Sequence, residues 1–231
     1  MQGRIVERCL FGATAVFLAV AVFLSNFAVV LSSPGYLNSL AHSTSTWENA
    51  YPGIGSQDAA DSVAAGVISY VTGKSAALTS GSYFREEELS HLADVKRMVA
   101  LFRLFLYFLA SAAAAAFLVV FAISKSLKES VAVVRRILFA SGALAAAVSA
   151  IFFMVSLNFD ASFTGFHLVL FGGSQWQFPS DYLLVNLFTA DFFFAIAKAA
   201  VAAAFVEGLA LMLASVIIGR FYGRKATGVR A

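Results

Sequence analysis

The chain reads as an all-α polytopic membrane protein: four transmembrane helices with an extracytoplasmic helical cap. Two observations dictate this. Its 231 residues are 60% hydrophobic, include 24 phenylalanines and are only 13% charged, which is more apolar surface than a soluble core of this size can hide. Four stretches, about 10–31, 98–123, 137–157 and 192–219, also reach the roughly 20 apolar residues that about 30 Å of hydrocarbon demands. No repeat or second soluble domain interrupts them, so residues 1–231 form one membrane domain.

The first span follows Arg4 and Arg8 and has the outline of a secretory signal. It is too long for one, and VVLSSPG offers no small-x-small cleavage site. The single cysteine, Cys9, lies before the apolar run and cannot form an intrachain disulfide; it reads as an inert helix residue.

The segment of about 32–97 comes next. SSPGYLNS and NAYPGIGS carry Pro-Gly pairs, which mark turns. SQDAADSVAAGVISYVTG then spaces Ala60, Val63, Ala64, Val67, Ile68 and Val71 by threes and fours behind Ser56, Gln57 and Asp58. That spacing predicts a short capped amphipathic helix over the outer end of the bundle. FREEELSHLADVKRMVALFRLF reads as one helix that begins polar and runs on into the second span. On it, Glu87 and Asp94 lie four residues before and three after His91, so both carboxylates can share its face. A neighbouring carboxylate raises the basicity of an imidazole, as a general base requires. The same run is also what a solvated helix start looks like.

The segment of about 158–191 precedes the last span. It sets His167 among aromatics, followed by a Gly172–Gly173 turn and then Trp176, Phe178 and Pro179. Such aromatics mark the water–lipid interface. His91 and His167 therefore stand at similar depth, whereas His42 reads as a plain surface histidine.

Orientation follows from the cations. Ten of the sixteen Lys and Arg residues fall in the N-terminal segment (Arg4, Arg8), the connection between the second and third spans (Lys125, Lys128, Arg135, Arg136) and the tail (Arg220, Arg224, Lys225, Arg230). By the positive-inside rule both termini are cytoplasmic, and the segments 32–97 and 158–191 face outward. The net charge of +3 then reflects topology; no nucleic-acid partner is expected.

SHLADVK before the second span, with Phe163, Phe166, His167, Phe171, Trp176 and Pro179 before the fourth, resembles the lipoprotein intramolecular transacylase (Lit) family over nearly the whole chain. LFTADFFF, at the start of the last span, lacks a proline that members tend to carry there. The resemblance implies a four-helix membrane enzyme with two essential histidines, His91 and His167, on the extracytoplasmic side. It also implies a reaction: the sn-2 acyl chain of a diacylglyceryl-modified bacterial lipoprotein moves to the amine of its N-terminal cysteine, leaving a lyso-form lipoprotein.

The chemistry suits the residues. An amine attacking an ester must lose a proton, and imidazole with an ordinary pKa of about 6.5 accepts one near neutral pH. Tethering both reactants on one lipopeptide makes the transfer nearly unimolecular. His91 is taken as the base; His167 would stabilise the oxyanion or return the proton. Lys96 is a possible further donor, and Glu87, Asp94 and Trp176 are supporting residues. No cofactor is called for, and the tight spacings of a metal site are missing.

Arg103, Lys198 and Glu207 lie within apolar stretches, where ionised groups are costly and invite a functional reading. Arg103 and Lys198 are near enough to the outer boundary to snorkel to lipid phosphates. A partner on another helix or a proton-carrying role stays open for Glu207. The rival reading is a small transporter or non-catalytic membrane partner that uses Lys198 and Glu207. Four spans without a repeat argue against a secondary transporter.

The orientation is tested with single cysteines in a Cys9→Ser background. Ser43→Cys should label in intact cells with a membrane-impermeant thiol reagent, and Lys128→Cys should label only after permeabilisation. The reverse pattern would put both histidines on the cytoplasmic side.

Overall fold

A computed structural model describes residues 2–171 and 176–227. Its elements are helical: α1 (Gln2–Leu31), α2 (Pro34–Thr44), α3 (Gln57–Val71), α4 (Glu86–Ile123), α5 (Leu127–Ser156), α6 (Phe159–Phe171), α7 (Leu183–Leu187) and α8 (Ala190–Thr227), and no strand occurs among the described residues. The helices α1, α4, α5 and α8 are long and apolar enough to cross a membrane. The Gly172–Gly173 turn and Arg230 lie outside the described residues.

Each membrane helix begins before its apolar stretch, and in α5 capping, not hydropathy, sets that start. At the start of α5, Ser126 Oγ accepts from the Glu129 amide at 3.2 Å, and the Glu129 carboxylate reaches back to the Lys125 amide at 2.8 Å. This is a variant of the capping box. The amphipathic helix of the first outer segment is α3, with Ser56 accepting from the Ala59 amide at 3.2 Å and Ala60, Val63, Ala64, Val67 and Ile68 buried.

Two expectations change. SSPG opens a helix instead of closing a turn, with Ser33 at the N-cap and Pro34 at the first helical position of α2, where a missing amide hydrogen costs nothing. The second Pro-Gly pair does turn: a 3-10 turn over Pro52–Ile54 ends on Gly55 at φ 81°. The aromatic outer segment, which gave no helical reading from sequence, contains α6 and α7.

The chain's contacts divide into two compact units. The first comprises Met1–Asn26, Phe105–Phe152 and Val201–Ala231. In it α5 and α8 approach closely at Gly142 and Gly208; a Cβ on Gly208 would lie 2.7 Å from the Gly142 carbonyl oxygen and 2.8 Å from the Ala146 nitrogen. Small residues at a membrane-helix crossing allow this approach. Arg135 Nε donates to the Ser215 carbonyl at 3.0 Å, and Ser215 Oγ donates to the Arg135 carbonyl at 2.9 Å. Asn26 Nδ2 donates to Glu207 at 2.8 Å, tying α1 to α8.

The second unit comprises Phe27–Leu104 and Phe153–Ala200. One apolar cluster joins α2, α3 and α7 to the start of α4 and of α8, through Leu37, Trp47, Val67, Leu92, Leu187 and Phe192 among others. Buried Asn186 is its polar joint, accepting from Thr46 and donating to the Ser180 and Tyr182 carbonyls. Glu88, 1% exposed, is a second joint. Its carboxylate accepts from the Arg85 amide and, across 96 residues of chain, from the Leu184 amide, both at 2.8 Å.

Since both bonds end on a buried carboxylate, Glu88→Ala should cost on the order of 3 kcal/mol. Glu88→Gln, which keeps one acceptor oxygen, should cost distinctly less. Thermal unfolding of the purified variants reads the difference; equal, negligible losses would show that the carboxylate is not a joint.

Candidate active site

His91 stands on the second turn of α4, seven residues before the apolar stretch that begins at 98. His167 stands on α6, in register with Phe163 and Phe171. Residues four apart share a helix face, so Phe163, His167 and Phe171 form one stripe.

That stripe brings the two histidines together. Their ring centroids are 6.3 Å apart with 26° between the planes, and Phe171 lies against both, at 4.9 Å from His91 and 5.5 Å from His167. Phe178 meets His91 edge-on at 5.5 Å; Phe163 and Trp176 flank His167 at 4.0 and 4.7 Å. Two imidazoles thus share an aromatic chamber. At that separation both rings border one small space.

Electrostatics keep both rings neutral. Burial pushes His91 down to about 4; the facing His167 pushes the same way, and Asp94 opposes them more weakly. His167 is also lowered by burial, with its bond to the Phe163 carbonyl in opposition. The carboxylate beside His91 therefore does not win. Desolvation outweighs a partially exposed charge.

The tautomer of His167 is fixed. Its Nδ1 lies 2.9 Å from the Phe163 carbonyl oxygen, which can only accept, so Nδ1 carries the hydrogen and Nε2 keeps the lone pair.

Asp94 remains near His91, but its carboxylate accepts from Arg97 at 3.1 Å. Glu87 is exposed and, with Glu86, Ser90, Gln177, Phe178, Pro179 and Tyr182, lines an adjoining cavity of about 370 Å³. Lys96 points elsewhere: Nζ donates to the Ser75 and Ala76 carbonyls, both at 2.9 Å, and sits 3.9 Å over the Tyr70 ring. Arg103 does the same for the end of α3, donating to the Thr72 carbonyl at 2.6 Å. Those two cations clamp the 72–76 connection to α4. Trp176 is buried, and its indole Nε1 finds no acceptor among the described residues.

Three side chains do more than the sequence reading gave them. Glu88 forms the joint described above, and Arg85 donates to Asp181 at 2.8 Å while covering the Tyr182 ring at 4.1 Å. His42 is more than a bare surface histidine: Nδ1 meets Asp61 at 2.7 Å, and Gln57, held by Trp47, orients that carboxylate. No cluster of three metal-ligating side chains occurs among the described residues.

The sequence profile of the lipoprotein intramolecular transacylase Lit family matches residues 11–193. Among solved structures, the chain is similar to the in meso structure of the membrane integral lipoprotein intramolecular transacylase Lit from Bacillus cereus. The TM-score is 0.74 at 17% identity, covering 95% of this chain and 98% of that one. A histidine-to-arginine variant of that protein gives a TM-score of 0.72 at 16% identity, covering 97% and 96%. No curated protein sequence matches. At such identities the structural likeness shows the fold.

The causes of the His91 shift fix the sign of two changes, readable by NMR of labelled imidazoles. His167→Ala removes a depressing neighbour, so His91 should titrate higher than about 4 yet still below 6.5, since burial remains. Asp94→Asn removes a raising charge and should move it lower. A His91 that titrates near 6.5 in the unmodified protein would show the chamber to be wet.

Proposed function

The chain belongs to the lipoprotein intramolecular transacylase Lit family and is a multi-pass membrane enzyme that acts on lipoproteins; from this we propose that His91 and His167 perform its acyl transfer. The substrate is a diacylglyceryl-modified bacterial lipoprotein held at the membrane surface by its own acyl chains and by surrounding membrane lipids. The amine of its N-terminal cysteine attacks the sn-2 ester carbonyl, the carbon–oxygen bond to glycerol breaks, and the proton lost by nitrogen ends on the glycerol oxygen. Amide replaces ester, giving a lyso-form lipoprotein. The cation distribution supports cytoplasmic termini and a site facing outward.

The bond from His167 to the Phe163 carbonyl carries the assignment of roles. It leaves Nε2 as the acceptor and steadies the imidazolium that forms, so His167 is the better base, the reverse of the sequence expectation. His91, with a pKa of about 4, is too weak a base to take a proton from a free ammonium. Neutral, it serves as an N–H donor that orients the ester and relays the proton to the leaving oxygen.

The transporter alternative loses its footing, since Glu207 is bonded to Asn26 while Lys198 lies 5.6 Å over the Phe194 ring.

Expression in a bacterium that makes diacylglyceryl lipoproteins should convert some of them to the N-acylated lyso form, seen by mass spectrometry of N-terminal lipopeptides. His91→Ala and His167→Ala should each lose on the order of 10²-fold or more in rate. Acting on one transition state, the double variant should lose far less than the product of the two. Unshifted lipopeptides at good expression would remove the proposal, and full activity in either single variant would move the site elsewhere.

A further inference from the structure

We propose that Trp176 is a third catalytic residue, its indole N–H holding the oxyanion of the tetrahedral intermediate; this rests on the acyl-transfer reading above. Trp176 is 8% exposed, and its Nε1 finds no acceptor among the described residues. The ring lies in the chamber, 4.7 Å from His167 and 6.4 Å from Phe163 between centroids. An indole N–H can only donate. A buried donor without an acceptor is a standing cost to the fold, and such a group beside reacting side chains points to an acceptor that arrives with the substrate.

The reaction has a vacancy for that donor. As the amine nitrogen bonds to the ester carbon, the carbonyl electron pair moves onto oxygen; as the bond to glycerol breaks, the pair returns. One histidine is occupied with the nitrogen proton and the other with the glycerol oxygen. Lys96, the cation nearest in sequence after His91, spends its hydrogens on the Ser75 and Ala76 carbonyls. The carbonyl oxygen is left with Trp176. A neutral N–H suits the role in an aromatic chamber, since it stabilises developing charge without introducing a buried cation.

The test replaces Trp176 with 3-benzothienylalanine, which puts sulfur where the N–H was and keeps the ring's shape, alongside Trp176→Phe. Turnover and KM are measured on a synthetic diacylglyceryl lipopeptide, with thermal unfolding as a control for folding. The expected result is a fall in kcat of about 10²- to 10³-fold for the benzothienyl protein, with KM within about twofold and an unchanged unfolding temperature. Trp176→Phe should lose at least as much. A benzothienyl protein that keeps its kcat would overturn the proposal and reduce Trp176 to a packing residue, while an inactive unmodified enzyme would instead overturn the acyl-transfer reading beneath it.

Discussion

The site depends on one buried carboxylate. Glu88 is 1% exposed, and a carboxylate out of water must find donors or destabilise the fold. It finds two backbone amides: Arg85 at the start of α4 and Leu184 at the start of α7. The first closes the helix that carries His91 three residues later. The second pins the segment whose Phe178 forms one wall against His91. Around this joint Arg85 pairs with Asp181 and covers Tyr182, and Phe178 stacks on Tyr182 at 5.3 Å. The exposed ion pair adds little by itself. Its contribution is directional, since it holds the rim of a wall that Glu88 has already fixed.

Length and periodicity made the four spans, α3 and the polar start of α4 readable from the sequence. The second histidine's helix was not, although its stripe is regular: Phe163, His167 and Phe171 recur every four residues. Phe166, Leu168 and Val169 fill the intervening positions and are exposed, so around His167 the second half of the helix is apolar on its other faces. A helix of this kind at an interface carries no amphipathic signal.

Glu88 was hidden differently. It is one of three successive glutamates, and the usual capping signature has Ser or Thr three residues earlier, where this chain has Arg85. Lys96, by contrast, was legible and misjudged. Five residues after His91 places it about 140° around the helix, which is the side facing the 72–76 connection. Where Glu87 and Asp94 would point was a matter of competition among partners, which no single-chain pattern decides; Arg97 takes Asp94.

If the two histidines carry the acyl transfer as proposed, the aromatic shell explains why weak ones suit it. Burial lowers His167, the base, as well, which sacrifices basicity, yet the attacking nitrogen becomes strongly acidic as its bond to carbon forms, so a strong base is not required at the moment of transfer. A wetter chamber would restore basicity and also admit water, which would compete with the amine for the ester. Under the proposed reading the chamber therefore trades base strength for selectivity between two nucleophiles. One of them is tethered beside the ester and needs only orientation; the other is kept out by Phe163, Phe171, Trp176 and Phe178. This trade works only for an intramolecular reaction. An amine arriving from solution would have to be desolvated through the same aromatic wall, and the exclusion that protects the ester would exclude it as well.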